Sequence, residues 1–376
     1  MKTTKEFLTA AEAAATLKVK PATLYAYASR GFIQAVKDEA SGRSLYRVYD
    51  VNRLEVEKRN GHKPRKSVGG ALDLGLPVLD SHLTLIENGK LYFRGKSAID
   101  LMRTATLEDV ARLLWGCGTG DPFKVAPTSL ILAPANRHQP NRPSLSAADR
   151  CMTLLASTPL DESGSAWEVG AAVVRLVAAA ALLHKPNVLP IDQQCATAWG
   201  LDDHGRACIR AALVICADHE LNASSFTARC VASSHASLKA AVIGGLAALS
   251  GSRHGGTTDH IEALWDEVEG ASSVAAGVRR IIQRENIFPG FWHPLYPGGD
   301  PRCVALFDIW TPDKATRKFA KEVARQTKQH PSVDFALVAL RRGLGLPRGA
   351  AFEIFAMGRS VGWLAHALEQ RADNRM

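Results

Sequence analysis

The feature that most constrains the fold is a succession of Ala- and Leu-rich segments with helical spacing between residues 166 and 370. β-Branched pairs and alternation of apolar with polar residues are scarce in this region, so helices are favoured over strands. The predicted helices are 166–184, 193–199, 205–218, 225–233, 238–249, 261–268, 274–284, 317–328, 334–344 and 352–370. We therefore expect a mainly α protein whose helices pack through small residues.

Two signals precede this helical region. Asn88-Gly89 separates two short apolar runs, which predicts a hairpin with a type I′ turn and the only sheet of the large region. Thr106 and Asp109 form an N-terminal capping signature for a helix that runs to Trp115. The Pro-rich stretch 122–143 is interpreted as a loop or a poorly ordered connection.

Composition narrows the class of protein. The chain has 376 residues, enough for two or three domains, and its 46% hydrophobic content is that of an ordinary globular protein. No apolar run reaches the ~18–20 residues of a membrane span, and the start of the chain has no apolar secretory segment. The seven cysteines are scattered without a Cys-x-x-Cys pair. This pattern argues against a disulfide scaffold or a zinc site and favours a cytoplasmic protein.

The positive charge is concentrated at the N-terminus. Residues 1–66 hold 14 Lys and Arg against 7 Asp and Glu, whereas the other 310 residues hold 32 against 30. A solvated basic face would explain this asymmetry, but it also favours nucleic acid as a partner of the N-terminal region.

The N-terminal region has the signals of a small separate module. Thr9 and Glu12 form a capping box for a short helix, and Pro21 suits the first turn of a second helix that stops at Gly31. Leu24 should face inward on this second helix. The remaining predicted elements are an extended segment from Phe32, a turn at Ser41-Gly42, a strand at 45–49 and a third helix from Asp50.

This order of elements resembles the winged helix-turn-helix domains of the MerR and excisionase type over about residues 7–59. The resemblance implies a module at 1–60. The residues that follow, with Gly61-His62-Lys63-Pro64-Arg65-Lys66 and Gly69-Gly70, predict a basic, flexible linker at 61–80. The resemblance also implies that the second helix faces the major groove of DNA while the wing meets phosphate. The implied contact residues are Thr23, Tyr25, Tyr27 and Arg30 on the helix and Arg43 and Arg47 on the wing. Binding to protein, or to the rest of the chain, is the alternative.

Four later segments carry side chains suited to chemistry. They are 216–226 with His219, 251–256 with His254, the Pro- and Gly-rich 289–302 with His293 and Arg302, and 331–335 with Asp334, which is followed by Arg359. A single His or Asp in a helical protein is more often structural, and we interpret Asp218, His260 and His366 in that way. No His-Glu-x-x-His spacing or similar ligand pattern predicts a metal site.

Together, in this order, these segments resemble the citrate synthase family from about residue 83 to residue 371. The motifs are Ala-Asp-His-Glu-Leu-Asn-Ala-Ser at 217–224, Leu-Ser-Gly-x-x-His-Gly-Gly at 249–256, Pro-Gly-Phe-x-His at 289–293, Asp-Pro-Arg at 300–302, Val-Asp-Phe at 333–335 and Phe-Ala-Met-Gly-Arg-Ser-Val-Gly-Trp-Leu-Ala-His at 355–366. The resemblance implies a two-domain helical fold at 81–376 with a small domain at about 255–344, and a homodimer. It implies condensation of acetyl-CoA, or propionyl-CoA, with oxaloacetate, without a metal or other cofactor.

The resemblance also assigns roles. Asp334 would remove a proton from the thioester methyl group, His254 would donate to the resulting enolate oxygen, and His293 would polarise the ketone of the acceptor. The residues implied to bind the carboxylates and other oxygens of the acceptor are Arg302, Arg359 and His219.

The chain departs from the family pattern in ways that support a second hypothesis. Trp292 occupies a position where the family usually has Gly, and Pro297-Gly298-Gly299 lacks the basic residue often found there. The family's terminal Arg-Pro-Arg segment is not found before Met376. With the basic N-terminal module, these departures make a DNA-binding regulator with a catalytically weak, metabolite-sensing domain the alternative.

Overall fold

The computed structural model describes residues 7–29, 32–33, 35–38, 43–59, 81–87, 89–124, 145–285 and 288–373. Arg30, Gly31, the Ser41-Gly42 turn, the linker at 61–80 and most of the stretch 122–143 lie outside the described residues. The chain divides into two compact units. The first is Met1–Asp80, Glu87–Gly89 and Trp292–Asp300, and the second is Ser81–Ile86, Lys90–Phe291 and Pro301–Met376.

The N-terminal part of the first unit is a small α/β arrangement. Its elements are β1 (Phe7–Thr9), α1 (Ala10–Leu17), α2 (Pro21–Ser29), β2 (Ala35–Lys37), β3 (Ser44–Arg47) and α3 (Val48–Arg59). The antiparallel strands lie in the order β1-β3-β2. The side chains that form its core are Ala13, Ala14, Leu17, Leu24, Ile33, Tyr46, Val51 and Leu54.

Local capping determines the first helix. The Glu12 carboxylate accepts from the backbone N–H of Thr9 at 2.8 Å, and Thr9 Oγ1 accepts from the backbone N–H of Glu12 at 3.3 Å. Lys18 closes the helix with a left-handed backbone at φ 52°. The predicted capping box and the start of α2 at Pro21 are therefore confirmed.

Three details of this part differ from the prediction. Strand β1 has no signal in the sequence, and α3 begins at Val48 directly after β3 rather than at Asp50. Tyr27 was expected to stay available, but its ring packs edge-on against Phe32 at 5.9 Å and is half-buried. The reason is spacing, because Tyr27 lies three residues after buried Leu24 and shares its face of the helix.

The second unit starts with a small sheet. Strands β4 (Thr84–Glu87), β5 (Lys90–Phe93) and β6 (Lys96–Ser97) lie in the order β4-β5-β6. Gly89 has φ +73°, as the predicted turn between the first two strands requires. The pairing of β4 with β5 is confirmed, while Asn88 of the predicted turn lies outside the described residues. The expectation that the hairpin is the whole sheet is wrong, because β6 pairs with β5.

The rest of the second unit, where the structure describes it, is helical. Its helices are α4 (Ala98–Thr104), α5 (Leu107–Trp115), α6 (Ala147–Ser157), α7 (Ala166–Ala181), α8 (Ile191–Trp199), α9 (Asp203–Ile215), α10 (Ala223–Ser233), α11 (Leu238–Leu249), α12 (Thr257–Glu269), α13 (Val274–Glu285), α14 (Pro301–Ile309), α15 (Lys314–Thr327), α16 (Val333–Gly343) and α17 (Ala350–Asp373). The predicted helices are found with shifts of a few residues at their ends, and α4, α6 and α14 were not predicted. Within the described parts of the chain, no helix combines the length and the apolar character that a membrane span needs.

Helix α17 forms the centre of this unit. It packs against α5, α7, α9, α10, α11 and α16, and almost all of its side chains are buried. Small residues permit the close packing. Trp363 lies against Gly245 of α11, where an added Cβ would stand 2.5 Å from the indole ring. Packing through small residues, as the composition predicts, thus brings helices from distant parts of the chain together.

Candidate active site

The turn between α9 and α10 carries His219, which is 5% exposed. Glu220 follows it with a left-handed backbone at φ 53°. Asn222 caps α10: its Oδ1 accepts from the backbone N–H groups of Ser224 and Ser225, and its Nδ2 donates to the carbonyl of His219 at 3.1 Å. One amide side chain therefore fixes both the start of α10 and the turn that holds His219.

His254 lies in a tight turn just before α12. Gly256 in this turn has no room for a side chain, because an added Cβ would collide with the carbonyl of Ser250. The imidazole Nε2 lies 2.8 Å from Ser224 Oγ, and the ring meets Phe355 edge-on with centroids 5.9 Å apart. Burial, assisted by the positive charge of Arg359, lowers the pKa of His254 to about 3. The ring is therefore neutral at physiological pH.

Two buried guanidinium groups act on each other in this unit. Arg302, in the first turn of α14, is 3% exposed, and Arg359, on α17, is 1% exposed. Arg359 Nε donates to the carbonyl of Cys216 at 2.7 Å, and its guanidinium lies 5.0 Å from the centroid of Phe355. Burial lowers the pKa of Arg359, the carboxylate of Asp218 opposes this shift, and the charge of Arg302 adds to it. Buried positive charge of this kind suits an anionic ligand.

Asp334 lies in the first turn of α16, and its carboxylate accepts from Ser332 Oγ at 3.1 Å. Burial lowers the pKa of Arg359, and the negative charge of Asp334 partly opposes this shift. The segment that precedes Asp334 is tied to the segment that follows α13. The backbone N–H of Ser332 donates to the carbonyl of Gly290 at 2.8 Å, and Phe291 forms an antiparallel bridge with Pro331. We call this link the 290–332 bridge.

Aromatic side chains pack against the 290–332 bridge. Phe335 stacks on Trp265 with centroids 5.2 Å apart and meets Phe291 at 4.7 Å. Gly290 has φ +79°, and an added Cβ would stand 2.5 Å from Ile261 Cδ1, so both its backbone and its surroundings require glycine. The position of Asp334 is therefore fixed by a rigid apolar base.

His293 belongs to the first unit, in the segment Trp292–Asp300. Its Nδ1 accepts from the backbone N–H of Leu295 at 3.2 Å, so the neutral ring carries its proton on Nε2. Its carbonyl accepts from the backbone N–H of Tyr296 at 3.0 Å, which folds the segment into a compact turn. The group needed to polarise a ketone, a donor at Nε2, is therefore present.

Trp292, directly before His293, has two costly features. Its φ is 110°, a region that side chains other than glycine rarely adopt. Its indole Nε1 is buried without a hydrogen-bond partner. Both features arise at the position where the resemblance described above implies glycine.

Among the predicted site residues, Arg359 is the common electrostatic neighbour: its charge adds to the effect of burial on the pKa of His254, and its own pKa, lowered by burial, responds to the charges of Arg302 and Asp334. His219 lies in the turn that is held by the side chain of Asn222. His293 belongs to the first compact unit, whereas the other residues predicted for the active site belong to the second. Sequence reasoning gave no role to Ser224 or Asn222, although both belong to the motif at 217–224. Among the residues that the structure describes, no cluster of three His, Cys, Asp or Glu side chains is arranged to hold a metal ion.

Two cavities lie away from these residues. One, of about 260 Å³, is lined among others by Glu108, Arg112 and Arg175. The other, of about 330 Å³, is lined among others by His184 and Gln194. Neither cavity is lined by a residue that the sequence predicts for the site.

The predicted DNA-contacting residues differ in exposure. Tyr25 is 53% exposed and Arg43 is exposed, whereas Thr23, Tyr27 and Arg47 are half-buried. Arg47 lies on β3 opposite Phe7 of β1. Arg30 lies outside the described residues.

Comparison with known proteins places the larger part of the chain in a family. Residues 72–376 match the family profile described as citrate synthase, C-terminal domain. Citrate synthase 2 of Bacillus subtilis is 30% identical over 177 residues, which cover 44% of this chain and 47% of the relative. 2-Methylcitrate synthase 2 of Corynebacterium glutamicum is 27% identical over 175 residues, which cover 44% of this chain and 45% of the relative. The chain thus spans about half the length of the curated relatives it matches.

A solved structure resembles a larger part of this chain than the curated relatives do. Citrate synthase of Thermoplasma acidophilum, in a ternary complex with carboxymethyl coenzyme A and oxaloacetate, has a TM-score of 0.62 and 20% identity. The match covers 81% of this chain and 92% of that chain, which shows that the mainly helical fold is shared. With the family profile matching residues 72–376, the chain belongs to the citrate synthase family.

Proposed function

We propose that this protein condenses acetyl-CoA with oxaloacetate and hydrolyses the resulting thioester to citrate and CoA. The observation that carries the proposal is the arrangement around Arg359. Burial lowers the pKa of His254 and the charge of Arg359 adds to this shift, while the pKa of Arg359, lowered by burial, also responds to the charges of Arg302 and Asp334. A neutral donor, a carboxylate and paired cations are the groups that enolisation beside an anionic acceptor requires.

The first step is proton removal from the methyl group of the thioester. Asp334 accepts this proton, and the electron pair of the C–H bond moves to form the enolate while the carbonyl oxygen gains negative charge. His254 donates a hydrogen bond to that oxygen. Because its pKa is about 3, the imidazole acts as a neutral donor rather than an imidazolium.

Ser224 determines which nitrogen of His254 can donate. Its single hydroxyl proton has two possible acceptors, Asn222 Oδ1 at 2.7 Å and His254 Nε2 at 2.8 Å. When Ser224 donates to Nε2, the ring proton lies on Nδ1, and Nδ1 can then donate to the enolate. The proposed reaction requires this arrangement; if Ser224 instead donates to Asn222 Oδ1, Nε2 carries the ring proton and donates to Ser224 Oγ.

The second step joins the enolate carbon to the ketone carbon of oxaloacetate. His293, protonated at Nε2, polarises the ketone and supplies the proton that its oxygen requires. Arg302 and Arg359 bind the acceptor carboxylates and His219 binds an acceptor oxygen. Water then cleaves the citryl thioester and releases CoA. Closure of a small domain at about 255–344 over the large domain would exclude water until the new bond has formed.

The experiment is a CoA thiol-release assay with oxaloacetate and either acetyl-CoA or propionyl-CoA, with product identification by mass spectrometry. We expect turnover with acetyl-CoA at a higher kcat/KM than with propionyl-CoA. Asp334→Ala, which removes the proposed base, is the matched control. Release no faster than in this control would contradict the proposal, and a preference for propionyl-CoA would change the donor to that of a 2-methylcitrate synthase.

We further propose that residues 1–60 form a winged helix-turn-helix module, joined by a linker at 61–80 to the synthase domain at 81–376. Support comes from the order α1, α2 and the antiparallel β2–β3 pair, followed by α3. Tyr25 and Arg43 are exposed to solvent on this module. The proposed contact set is Thr23, Tyr25, Tyr27, Arg30, Arg43 and Arg47. A mobility-shift assay on genomic fragments tests it, and a shift that persists in Arg43→Ala with Arg47→Ala would contradict the wing contact. The purely regulatory alternative is not favoured, since the relatives reported above are named as synthases.

We also propose a cytoplasmic homodimer. The described cysteines are all free, in keeping with a reducing compartment. Light scattering coupled to size exclusion tests the dimer, and a monomeric mass at micromolar concentration would overturn it.

A further inference from the structure

The Asp218 carboxylate is completely buried behind the turn that carries His219. It accepts from Thr84 Oγ1 of β4, and its Oδ1 lies 3.2 Å from Nε2 of His366, which is 1% exposed. Three elements distant in sequence therefore meet at one carboxylate. Burial of this charge costs free energy, and its hydrogen-bond partners offset part of that cost.

The backbone around this carboxylate is pressed against α17. A Cβ at Gly362 would collide with the carbonyl of Ala217 and would stand 2.7 Å from Asp218 Oδ1. A Cβ at Gly358 would stand 3.0 Å from Cys216 Cβ. Two glycines four residues apart thus let one face of α17 touch the turn. The same face carries Arg359, whose Nε reaches the carbonyl of Cys216.

Asp218 and Arg359 also interact through their charges. Burial by itself would raise the pKa of Asp218, but His366, Arg359 and Thr84 hold it below the usual value. Among the nearby charges, that of Asp218 acts most strongly on the pKa of Arg359 and opposes the effect of burial. The carboxylate therefore offsets part of the desolvation cost of a fully buried guanidinium in the absence of an anionic ligand.

From these contacts we infer that Asp218, held by Thr84 and His366, is a positioning residue for the acceptor site. It fixes the turn that presents His219, stabilises the buried charge of Arg359 and orients its guanidinium, without touching the acceptor itself. The inference deepens the proposed function and rests on it. The predicted effect is selective, because the acceptor carboxylates meet Arg359 while the acyl-CoA reacts at Asp334 and His254.

The experiment compares Asp218→Asn, which keeps the size of the side chain and removes its charge, with Glu369→Gln. Glu369 lies on the same helix and pairs with buried Arg229 at 2.7 Å, so its variant also breaks a buried ion pair. Asp218→Asn should raise the KM for oxaloacetate by about 10- to 100-fold and leave the KM for acetyl-CoA within about twofold. Glu369→Gln should lower thermal stability without changing either KM. Thr84→Val, a milder change, should raise the oxaloacetate KM by about 3- to 10-fold.

Crystal structures of the same variants give a readout that does not need turnover. In Asp218→Asn, the bond from Arg359 Nε to the carbonyl of Cys216 should be lost and the His219 turn should shift. In Thr84→Val, a smaller shift of the same turn is expected. If Asp218→Asn does not fold, the structure and the kinetics of Thr84→Val test the positioning role of Asp218 instead.

The two hypotheses fail separately. A wild-type chain without condensation activity would remove the proposed function, while displaced Arg359 in the variant structures would still support the positioning role. Unchanged geometry of Arg359 and His219, or equal changes in both KM values, would overturn the role of Asp218 even in an active synthase.

Discussion

Ser224 Oγ lies 2.8 Å from His254 Nε2, and this single contact links the helix α10 cap to the proposed enolate donor. The same hydroxyl is 2.7 Å from Asn222 Oδ1, so one proton is contested by two acceptors. The orientation of the imidazole and the identity of its protonated nitrogen thus depend on a residue that does not contact substrate in the proposed mechanism.

Ser224→Ala should therefore lower kcat by about 100-fold with little change in the KM for oxaloacetate, because the variant loses control of the tautomer rather than of acceptor binding. Steady-state kinetics measure this. Ser225→Ala is the matched control, since the Ser225 hydroxyl is buried without a partner. Equal kcat values in the two variants would contradict the assigned role.

The pH dependence of stability should reveal the environment of His254. Its pKa falls from an ordinary 6.5 to about 3 in the folded chain, so the unfolded chain binds the proton more tightly. The contribution of the neutral ring to the free energy of unfolding is therefore fully present above pH ~6.5. It is lost as the pH falls toward ~3, by at most about 1.4 kcal/mol per pH unit. Urea denaturation at several pH values measures the slope. His254→Gln should flatten it, and identical slopes would show that the ring is not desolvated.

Gly362→Ala should destabilise the second unit by about 2–4 kcal/mol, because the added methyl group has no space beside Ala217 and Asp218. Chemical denaturation provides the measurement. Gly270→Ala is a suitable control, since its Cβ would meet Asp266 at an ordinary 3.5 Å. If both variants lost the same free energy, the close contact between α17 and the His219 turn would be disproved.

The strain at the backbone of Trp292 can be measured by comparing the stabilities of its glycine and alanine variants. At φ 110°, Trp292→Gly should be more stable than Trp292→Ala by about 1 kcal/mol, because glycine adopts this conformation without strain. The neighbouring Phe291 does not have a positive φ, so there the alanine variant should be the more stable one. Thermal unfolding of the Gly and Ala variants at both positions measures these differences. If the same variant type were the more stable one at both positions, the result would argue against strain at Trp292.

Thr9→Ala should weaken the N-terminal module by about 1 kcal/mol through loss of the α1 capping box. Hydrogen exchange of the amides in Ala10–Leu17 should become faster. Ser29→Ala, which removes only an exposed bond to the carbonyl of Ala26, should leave this exchange unchanged. Unaltered exchange in Thr9→Ala would mean that the cap contributes little.

Local signals in the sequence predicted local structure well. The capping boxes at Thr9 and Thr106 each depend on residues three apart, and both form as predicted. Helix α14 was not predicted because it begins at Pro301, immediately after a Pro- and Gly-rich segment that favours a loop. Sequence spacing does not indicate that Asp218 meets His366, since 148 residues separate them. The family motifs predict the candidate site residues, whereas the contacts that orient these residues arise from tertiary packing.

The 290–332 bridge has a consequence for how this part of the chain can vary. The bond from Ser332 to Gly290 and the pairing of Phe291 with Pro331 fix the number of residues between the bridge and Asp334. An insertion or deletion between 332 and 334 would rotate the carboxylate around the start of α16, because each residue turns a helix by about 100°. Side chains here can be exchanged wherever packing allows, but chain length cannot, so natural variants should differ from this sequence here by substitution alone.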